Sequence, residues 1–251
     1  MERYFEINRD KHNIRCKLYY NKIPDIKKVI IYTHGFAGHK DNKSAGKLAE
    51  RILNKYKNVA LITFDLPCHG NDVKKKILLA DCLTYLNMVI DFAKEKYNTD
   101  EIYSCATSFG GYLVLKYISE NGNPFKKIAL RCPAVNMYNV MLNTILKHGE
   151  IEALQKNKSV AVGFDRKVDI NMQFLDDLKN ADILKNEYFD WAEDIIIIHG
   201  TKDEVVDYSA VRKFADDNVI EFVSVENADH RFQNPDCMEQ ATKAILNFYK
   251  L

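Results

Sequence analysis

The sequence predicts an α/β fold in which a mostly parallel, twisted sheet carries helices on both faces. Short apolar runs that end at glycine or polar residues alternate with segments whose apolar residues recur every three or four positions. Parallel strands need crossover connections, and helices provide them. The length of 251 residues is enough for one large core, so we expect a single domain spanning 1–251.

The amino-terminal half begins with a predicted hairpin and continues with strand–helix pairs. YFEI and IRCKLYY, separated by the polar NRDKHN, are typical of a hairpin, and KKVIIYTHG is typical of a buried strand. SAGKLAERILNKY has helical spacing, with Ser44 as the expected N-cap. NVALITFDL is the next predicted strand, and apolar positions from Leu79 to Ala93 mark one face of a long helix.

The carboxyl-terminal half repeats this alternation around one departure. EIYSCA, GYLVLKYI and KKIALRCPA predict strand, helix and strand. DIIIIHG, DYSAVRKFADD and IEFVSVEN then repeat the pattern, and a last helix is expected from about Pro235 to Tyr249. Between about 135 and 187 the pattern is helical and of mixed polarity, without a convincing strand. We expect a helical insertion there and consider it a candidate lid.

Composition excludes several functional classes. Thirty-six basic and 35 acidic residues leave a formal net charge of +1, which gives no global field for attracting nucleic acid. No apolar run approaches the roughly 18 residues of a membrane span, and the amino terminus lacks the pattern of a signal peptide. We therefore expect a cytoplasmic protein without a membrane span, and its six dispersed cysteines to be reduced thiols.

The segment CATSFGG, residues 105–111, places one hydroxyl where a strand is followed by a helix. A tight turn at a nucleophile tolerates only small side chains two residues before and after it, and Ala106 and Gly110 satisfy that demand at Ser108. The N–H of Phe109 would then lie at a helix amino terminus, where negative charge is stabilised. An ordinary turn or N-cap serine remains the alternative for this string alone.

Two further residues follow predicted strands downstream and could activate this serine. Asp203 follows IIIIHG, and His230 follows the strand in FVSVENADH. A serine needs a general base, and the base needs a carboxylate that fixes its tautomer. Glu204 or Asp207 could replace Asp203 as that carboxylate.

The order serine, aspartate, histidine resembles that of the α/β-hydrolase superfamily. The closest likeness is to small bacterial esterases and lipase-like enzymes, including cinnamoyl and feruloyl esterases. The segment THGFAGH resembles the oxyanion segment of that superfamily, which implies that the N–H of Phe36 joins that of Phe109, with His34 as a structural residue. FDLPCHGND resembles a further superfamily segment, but Pro67 and Cys68 stand where a glycine is usual, which leaves the path of that loop open.

The resemblance implies an α/β-hydrolase fold and a serine hydrolase that cleaves short-chain or aryl carboxylic esters. The expected partner is a small-molecule ester, and no cofactor is expected. A peptidase or thioesterase with the same triad, or a non-catalytic binding protein of the same fold, remains an alternative. Aryl specificity would favour aromatic residues in the insertion, where Tyr138, Phe164 and Phe174 occur. Charges such as Lys147, Glu150, Lys156 and Lys167 argue against the apolar lid of an interfacial lipase.

Other histidines and cysteines have simpler interpretations. Cys68 beside His69 could suggest a thiol nucleophile, but adjacent residues rarely form a working pair. The pairs His39–Asp41 and His69–Asp72 lack the spacing of metal ligands, so no metal is expected. His199, at the end of a buried strand, is expected to be a core residue.

Overall fold

The central sheet has eight strands in the described part of the chain, which comprises residues 1–72, 74, 76–163 and 166–251 of the computed structural model. Its strand order is β1-β2-β4-β3-β5-β6-β9-β10, and β7 and β8 form a separate antiparallel hairpin. The strands are β1 Glu2–Arg9, β2 His12–Tyr20, β3 Lys28–Thr33, β4 Val59–Phe64, β5 Ile102–Thr107, β6 Ile128–Arg131, β7 Val160–Val162, β8 Val168–Ile170, β9 Ile195–Gly200 and β10 Glu221–Val225.

Only the amino-terminal hairpin makes the eight-stranded sheet mixed. Strand β1 pairs antiparallel with β2, and β2 pairs antiparallel with β4. The other strands follow in the order β4, β3, β5, β6, β9 and β10, and each pairs in parallel with the next. The mostly parallel sheet predicted from the sequence is therefore confirmed.

Eight α-helices lie in the described residues, mostly at the predicted positions. They are α1 Lys43–Lys55, α2 Leu79–Tyr97, α3 Phe109–Asn121, α4 Met137–Val140, α5 His148–Gln155, α6 Met172–Asn180, α7 Tyr208–Asp217 and α8 Pro235–Tyr249. A π-helical turn at Met141–Ile145 continues α4. None of the helices in the described ranges combines the length and apolarity that a bilayer span requires.

The two faces of the sheet bury alternate residues of each strand. In β3, Val29 and Ile31 belong to the core beneath α2, α3 and α7, whereas Ile30 and Tyr32 belong to the core beneath α1 and α8. Side chains alternate between faces in a strand, so a strand covered on both sides must be apolar at successive positions. This is why KKVIIYTHG is a continuous apolar run.

Two local expectations from the sequence are wrong. Helix α1 is capped by Asn42, whose side chain accepts a hydrogen bond from the N–H of Ser44 at 2.8 Å, so Ser44 lies inside the helix. The insertion also contains strands, the hairpin β7–β8. Each of these strands has three residues, too few to give a recognisable alternation of apolar and polar residues.

The parallel strands bring distant segments together at one edge. Ser108 follows β5, Arg131 ends β6, Asp203 lies in the loop after β9, and His230 lies in the loop after β10. The carboxyl ends of neighbouring parallel strands form the functional edge of an open α/β sheet. The residues predicted for the site therefore meet there.

Candidate active site

Ser108 lies in a sharp turn between β5 and α3. Its backbone has φ 52° and ψ −120°, in a region that non-glycine residues seldom adopt and that is common at functional sites. Its N–H donates to the carbonyl of Arg131 at 3.1 Å. A Cβ at Gly110 would lie 2.2 Å from the carbonyl oxygen of Thr33, so the small residue predicted at this position is required by close backbone packing.

His230 connects Ser108 to a buried carboxylate. Its Nε2 lies 3.0 Å from Ser108 Oγ, and its Nδ1 lies 2.8 Å from Asp203 Oδ2. The His230 side chain is 12% exposed and that of Asp203 is fully buried. The imidazole can therefore accept the serine proton while the carboxylate stabilises the resulting charge.

Asp203 is the carboxylate that contacts the His230 ring, and the two other candidate acids have different contacts. Glu204 accepts a hydrogen bond from the backbone N–H of His230 at 3.1 Å. Asp207 caps α7 by accepting the N–H of Ala210 at 2.7 Å. Neither hydrogen bond involves the His230 ring.

The environment of Asp203 favours its ionised form. Oδ1 accepts the N–H groups of Val205 and Val206 at 2.9 and 2.8 Å. Burial raises the pKa of this carboxyl, but hydrogen bonds from His199, His230 and the backbone outweigh burial and hold the pKa well below its usual range. The group is therefore a carboxylate at neutral pH.

His199 is a second histidine on the same carboxylate. Its Nε2 lies 3.1 Å from Asp203 Oδ2 and 3.1 Å from the carbonyl oxygen of Val206. Both neighbours are acceptors, so Nε2 carries the hydrogen. The predicted core position of His199 is confirmed by its complete burial, but its contact with Asp203 was not anticipated.

The backbone segments that carry the N–H groups of Phe36 and Phe109, the predicted oxyanion donors, both adjoin Ser108. Phe109 is the first residue of α3, and the first N–H groups of a helix have no partner within that helix. A Cβ at Gly35 would lie 3.1 Å from Ser108 Cβ, so the backbone that leads into Phe36 passes directly beside the serine. The rings of Phe36 and Phe109 pack edge to face at 6.0 Å.

His34 holds the Phe36 loop in place. Its Nε2 accepts the N–H of Leu66 at 3.2 Å, and its Nδ1 donates to the carbonyl of Gly35 at 2.8 Å. Burial, followed by the neighbouring His69, lowers the pKa of His34 well below its ordinary value. The ring is therefore neutral and ties two loops together, as expected for a structural residue.

The loop from Asp65 to Asn71 keeps a tight path despite Pro67 and Cys68. Gly70 has φ 57°, and a Cβ there would overlap the Asp65 carboxylate. That carboxylate accepts the N–H of Asn71 at 2.9 Å and pairs with Lys40 Nζ at 3.0 Å. Burial, followed by Asp72, raises the pKa of the Cys68 thiol to about 12, which disfavours the thiolate that a cysteine nucleophile needs.

One group of potential metal ligands occurs among the described residues, and its donor chemistry does not favour a metal. Ligand atoms of Cys132, Asp203 and His230 lie within 4.8 Å of one another. Burial, followed by Asp203, raises the pKa of the Cys132 thiol well above its ordinary value. Metal binding requires the thiolate, and the side chains of Asp203 and His230 are already hydrogen-bonded to each other.

The serine opens into a cleft of about 280 Å³. Apolar side chains of Phe36, Ile145 and Val205 form part of its wall. Phe174 is instead fully buried, stacked on Phe36 at 6.4 Å. Phe164, another aromatic residue of interest in the sequence, lies outside the described residues.

Arginines in the cleft are the feature that sequence reasoning missed. Arg131, Arg166 and Arg231 line it together with Ser108 and His230. Arg131 at the end of β6 could have been found, because the carboxyl ends of parallel strands supply site residues. Nothing in the sequence pattern indicates Arg166.

Comparisons with solved structures identify the fold. Est1E from Butyrivibrio proteoclasticus, in a structure with ferulic acid bound, has a TM-score of 0.75 and 22% identity over 97% of both chains. Alpha/beta hydrolase domain-containing protein 10 from mouse has a TM-score of 0.75 and 16% identity, covering 99% of this chain and 98% of its own. A soluble variant of monoglyceride lipase from Saccharomyces cerevisiae has a TM-score of 0.73 and 16% identity, and the match covers 98% of this chain and 94% of the lipase chain. The α/β-hydrolase fold predicted from the sequence is thus confirmed.

Sequence comparison supplies the family. No curated protein matches the chain at a significant level. The sequence pattern of the prolyl oligopeptidase family, Peptidase_S9, matches residues 69–251, a segment that includes Ser108, Asp203 and His230. The chain is a hydrolase of the α/β fold and belongs to the prolyl oligopeptidase family.

Proposed function

We propose that this protein hydrolyses short-chain or aryl carboxylic esters through a Ser108–His230–Asp203 triad and an acyl-enzyme. The observation that carries the proposal is the continuous hydrogen-bonded chain from Ser108 Oγ through the His230 ring to Asp203, at 3.0 and 2.8 Å. These distances lie within the range at which a general base can take a proton from its nucleophile.

In the first half of the reaction, Ser108 Oγ attacks the ester carbonyl carbon while His230 Nε2 takes the serine proton. The N–H groups of Phe36 and Phe109 stabilise the oxyanion, and each such donor contributes about 3 kcal/mol to lowering the barrier. Collapse of the intermediate breaks the bond to the alcohol oxygen, which receives the proton from His230. The acyl group stays on Ser108.

In the second half, water replaces the alcohol. His230 takes a proton from water as the water oxygen attacks the acyl carbon, and the bond to Ser108 Oγ then breaks with return of that proton. Asp203 orients the ring and stabilises its charged form in both halves. The proton and the acyl group are both carried by side chains of the protein, so the chemistry requires no cofactor.

We propose that the chain forms a single domain over 1–251, in which the segment 135–187 is a cap. We also propose that the substrate is a small ester. Large apolar side chains that are exposed in the described residues are Met1, Tyr4, Ile23, Leu184, Phe189 and Val219. Leu184 alone among these lies in the cap. An interfacial lipase would expose a larger apolar patch to meet a lipid surface, so this cap favours a dispersed substrate.

A peptidase acting on short peptides is the second candidate. The prolyl oligopeptidase family match over residues 69–251 favours it, and the same triad can cleave an amide. A thioesterase would use the same steps, and a non-catalytic binding protein would retain the cleft without turnover.

A substrate panel tests these candidates. Purified protein is assayed with 4-nitrophenyl esters of increasing acyl length, aryl esters, aminoacyl 4-nitroanilides and acyl-coenzyme A thioesters. We expect the highest kcat/KM with an ester, loss of at least 1,000-fold in Ser108→Ala by analogy with other triads, and unchanged activity in the exposed control Ser209→Ala. Higher kcat/KM on anilides would make the protein a peptidase. Turnover retained in Ser108→Ala would reject the triad.

A further inference from the structure

The cleft beside Ser108 has an uneven distribution of charge. Three arginines and two histidines line it, namely Arg131, Arg166, Arg231, His39 and His230. No aspartate or glutamate is present among the described residues that line it. The whole chain has nearly equal numbers of basic and acidic residues, whereas the described lining of the cleft carries arginines and no carboxylate.

Arg131 lies next to the nucleophile, and its guanidinium has no oxygen acceptor among the described residues. Its backbone carbonyl accepts the N–H of Ser108 at 3.1 Å. Its side chain contacts the sulfur of Met238, 3.2 Å from Nη1, and the ring of Phe232, 5.4 Å from Cζ. Its Nε is buried and has no hydrogen-bond partner in the described structure. Buried donors are seldom left unpaired, so this guanidinium is suited to an acceptor that comes from outside the chain.

Arg166 lines the same cleft from the hairpin that packs on the Phe36 loop. It lies in the turn of the β7–β8 hairpin, which packs on the Phe36 loop, because a Cβ at Gly163 would lie 2.9 Å from Ala37 Cβ. Arg166 is exposed and forms no ion pair within the described residues. Burial lowers the pKa of His39, and Arg166 is the next largest cause, which agrees with a positive potential at this side of the cleft.

We propose that the substrate of this cleft carries an anionic group, a carboxylate or a phosphate, that Arg131 and Arg166 bind. This inference rests on the proposed function, because it specifies the class of ester that Ser108 attacks. A guanidinium binds carboxylate and phosphate oxygens through two parallel, charge-assisted hydrogen bonds. Such bonds form with a charged substrate and not with a neutral one of the same shape, so they discriminate between the two.

The test compares matched pairs of charged and neutral esters. Mono-4-nitrophenyl adipate against 4-nitrophenyl hexanoate places the charge on the acyl side. The 4-acetoxybenzoate anion against its methyl ester places a carboxylate on the alcohol side, and 4-acetoxyphenyl phosphate against 4-acetoxyanisole places a phosphate there. The readout is the ratio of kcat/KM, charged over neutral, for the wild type and for Arg131→Gln, Arg166→Gln and the control Arg212→Gln. Arg212 is exposed on α7, where it pairs with Asp216 and lies over the ring of Phe222. Neither of these residues lines the cleft.

We expect a ratio of about ten or more in at least one pair, the effect of one charge-assisted hydrogen bond. The ratio should fall about tenfold in each cleft variant, should be unchanged in Arg212→Gln, and should decrease as ionic strength rises. Because the readout is a ratio, a general loss of activity in a variant does not imitate this result. Arg166 is exposed, so its variant should fold even if Arg131→Gln does not.

The contrary results are equally distinct. Ser108-dependent hydrolysis with ratios near one in all three pairs would overturn the anionic substrate and leave the proposed function standing. If no ester is hydrolysed, calorimetric binding of the same pairs to Ser108→Ala still measures the preference for charge. Equal binding of the charged and neutral members would then overturn the inference separately.

Discussion

Asp203 is a carboxylate with two histidine partners on one oxygen. Oδ2 lies 2.8 Å from His230 Nδ1 and 3.1 Å from His199 Nε2. Only the first of these histidines contacts Ser108. Because its Nε2 carries a hydrogen, His199 is a fixed donor that orients the carboxylate, and it acts as a positioning residue for His230.

Replacing His199 should therefore impair both activity and stability. His199→Leu removes the donor and leaves a buried carboxylate with one partner fewer, which we expect to lower the free energy of unfolding by about 1–3 kcal/mol and kcat/KM by about tenfold. His199→Gln retains an N–H near the position of Nε2 and should restore most of both quantities. Urea unfolding and ester hydrolysis measure them.

The control for this pair is His148→Leu, at a histidine whose side chain is 92% exposed on α5. It should change neither quantity. Equal loss in the leucine and glutamine variants would show that the volume of the ring, not its hydrogen bond, is what matters at position 199.

Elements of the fold were predictable from the sequence where the pattern was long. The strand and helix on either side of Ser108 follow from two apolar runs with different spacing, and Ala106 and Gly110 follow from the steric demand of the turn. The hairpin β7–β8 was missed because three-residue strands give no periodicity. Asn42 was missed as the N-cap because Ser44, two residues later, is an equally suitable residue type.

The turn between β5 and α3 makes a specific prediction for Gly110. In Gly110→Ala the new Cβ would lie 2.2 and 2.7 Å from the carbonyl oxygens of Thr33 and His34, both of which are backbone atoms and cannot rotate away. Overpacking of this kind costs about 1–3 kcal/mol. Displacement of the Phe109 N–H should in addition lower kcat by about 100-fold, the effect of losing one oxyanion donor.

Gly149→Ala is the matched control for this substitution. Gly149 lies within α5, and a Cβ there would meet nothing within 4 Å. Alanine is about 1 kcal/mol better than glycine in a helix, so this variant should be slightly stabilised and fully active. Wild-type kcat in Gly110→Ala would show that the turn does not set the geometry of the site.

At the scale of the whole molecule, the site depends on segments that meet only in three dimensions. Ser108, Asp203 and His230 were identifiable because each follows a predicted strand and their order resembles a known superfamily. Arg131 could have been found from its position at the carboxyl end of a predicted strand, whereas Arg166 could not, because it sits in a polar turn without a motif. Their proximity to Ser108 is a consequence of tertiary packing over the cleft.

Buried histidines make the stability of the whole molecule dependent on pH. Burial lowers the pKa of His69 from 6.5 to about 4, and its ring lies 5.2 Å from that of His34, whose pKa is also lowered. Between about pH 4 and pH 6.5 the His69 ring is protonated in the unfolded state and neutral in the folded state. The free energy of unfolding therefore rises with pH over this range and falls on acidification. The lowered pKa of Asp203 affects stability only below pH 3.8, the ordinary pKa of this carboxyl, and so at lower pH than the histidines.

We therefore expect the free energy of unfolding to decrease as the pH is lowered from 6.5 to 4. His69 alone should contribute a slope of about 1.4 kcal/mol per pH unit. In the wild type, His69 Nδ1 lies 2.8 Å from the carbonyl oxygen of Pro67, and the amide of His69→Asn can keep this hydrogen bond. The variant should show a slope smaller by about 1.4 kcal/mol per pH unit. Urea unfolding across this pH range provides the measurement, and an unchanged slope in the variant would contradict burial of a neutral ring.

Activation of the Ser108 hydroxyl by His230 can be measured by labelling with a fluorophosphonate followed by peptide mass spectrometry. We expect one stoichiometric adduct on Ser108, absent in Ser108→Ala and formed at least 100-fold more slowly in His230→Ala, because the triad base is removed. A protein that hydrolyses esters without an adduct on Ser108, or with equal labelling after loss of His230, would contradict it.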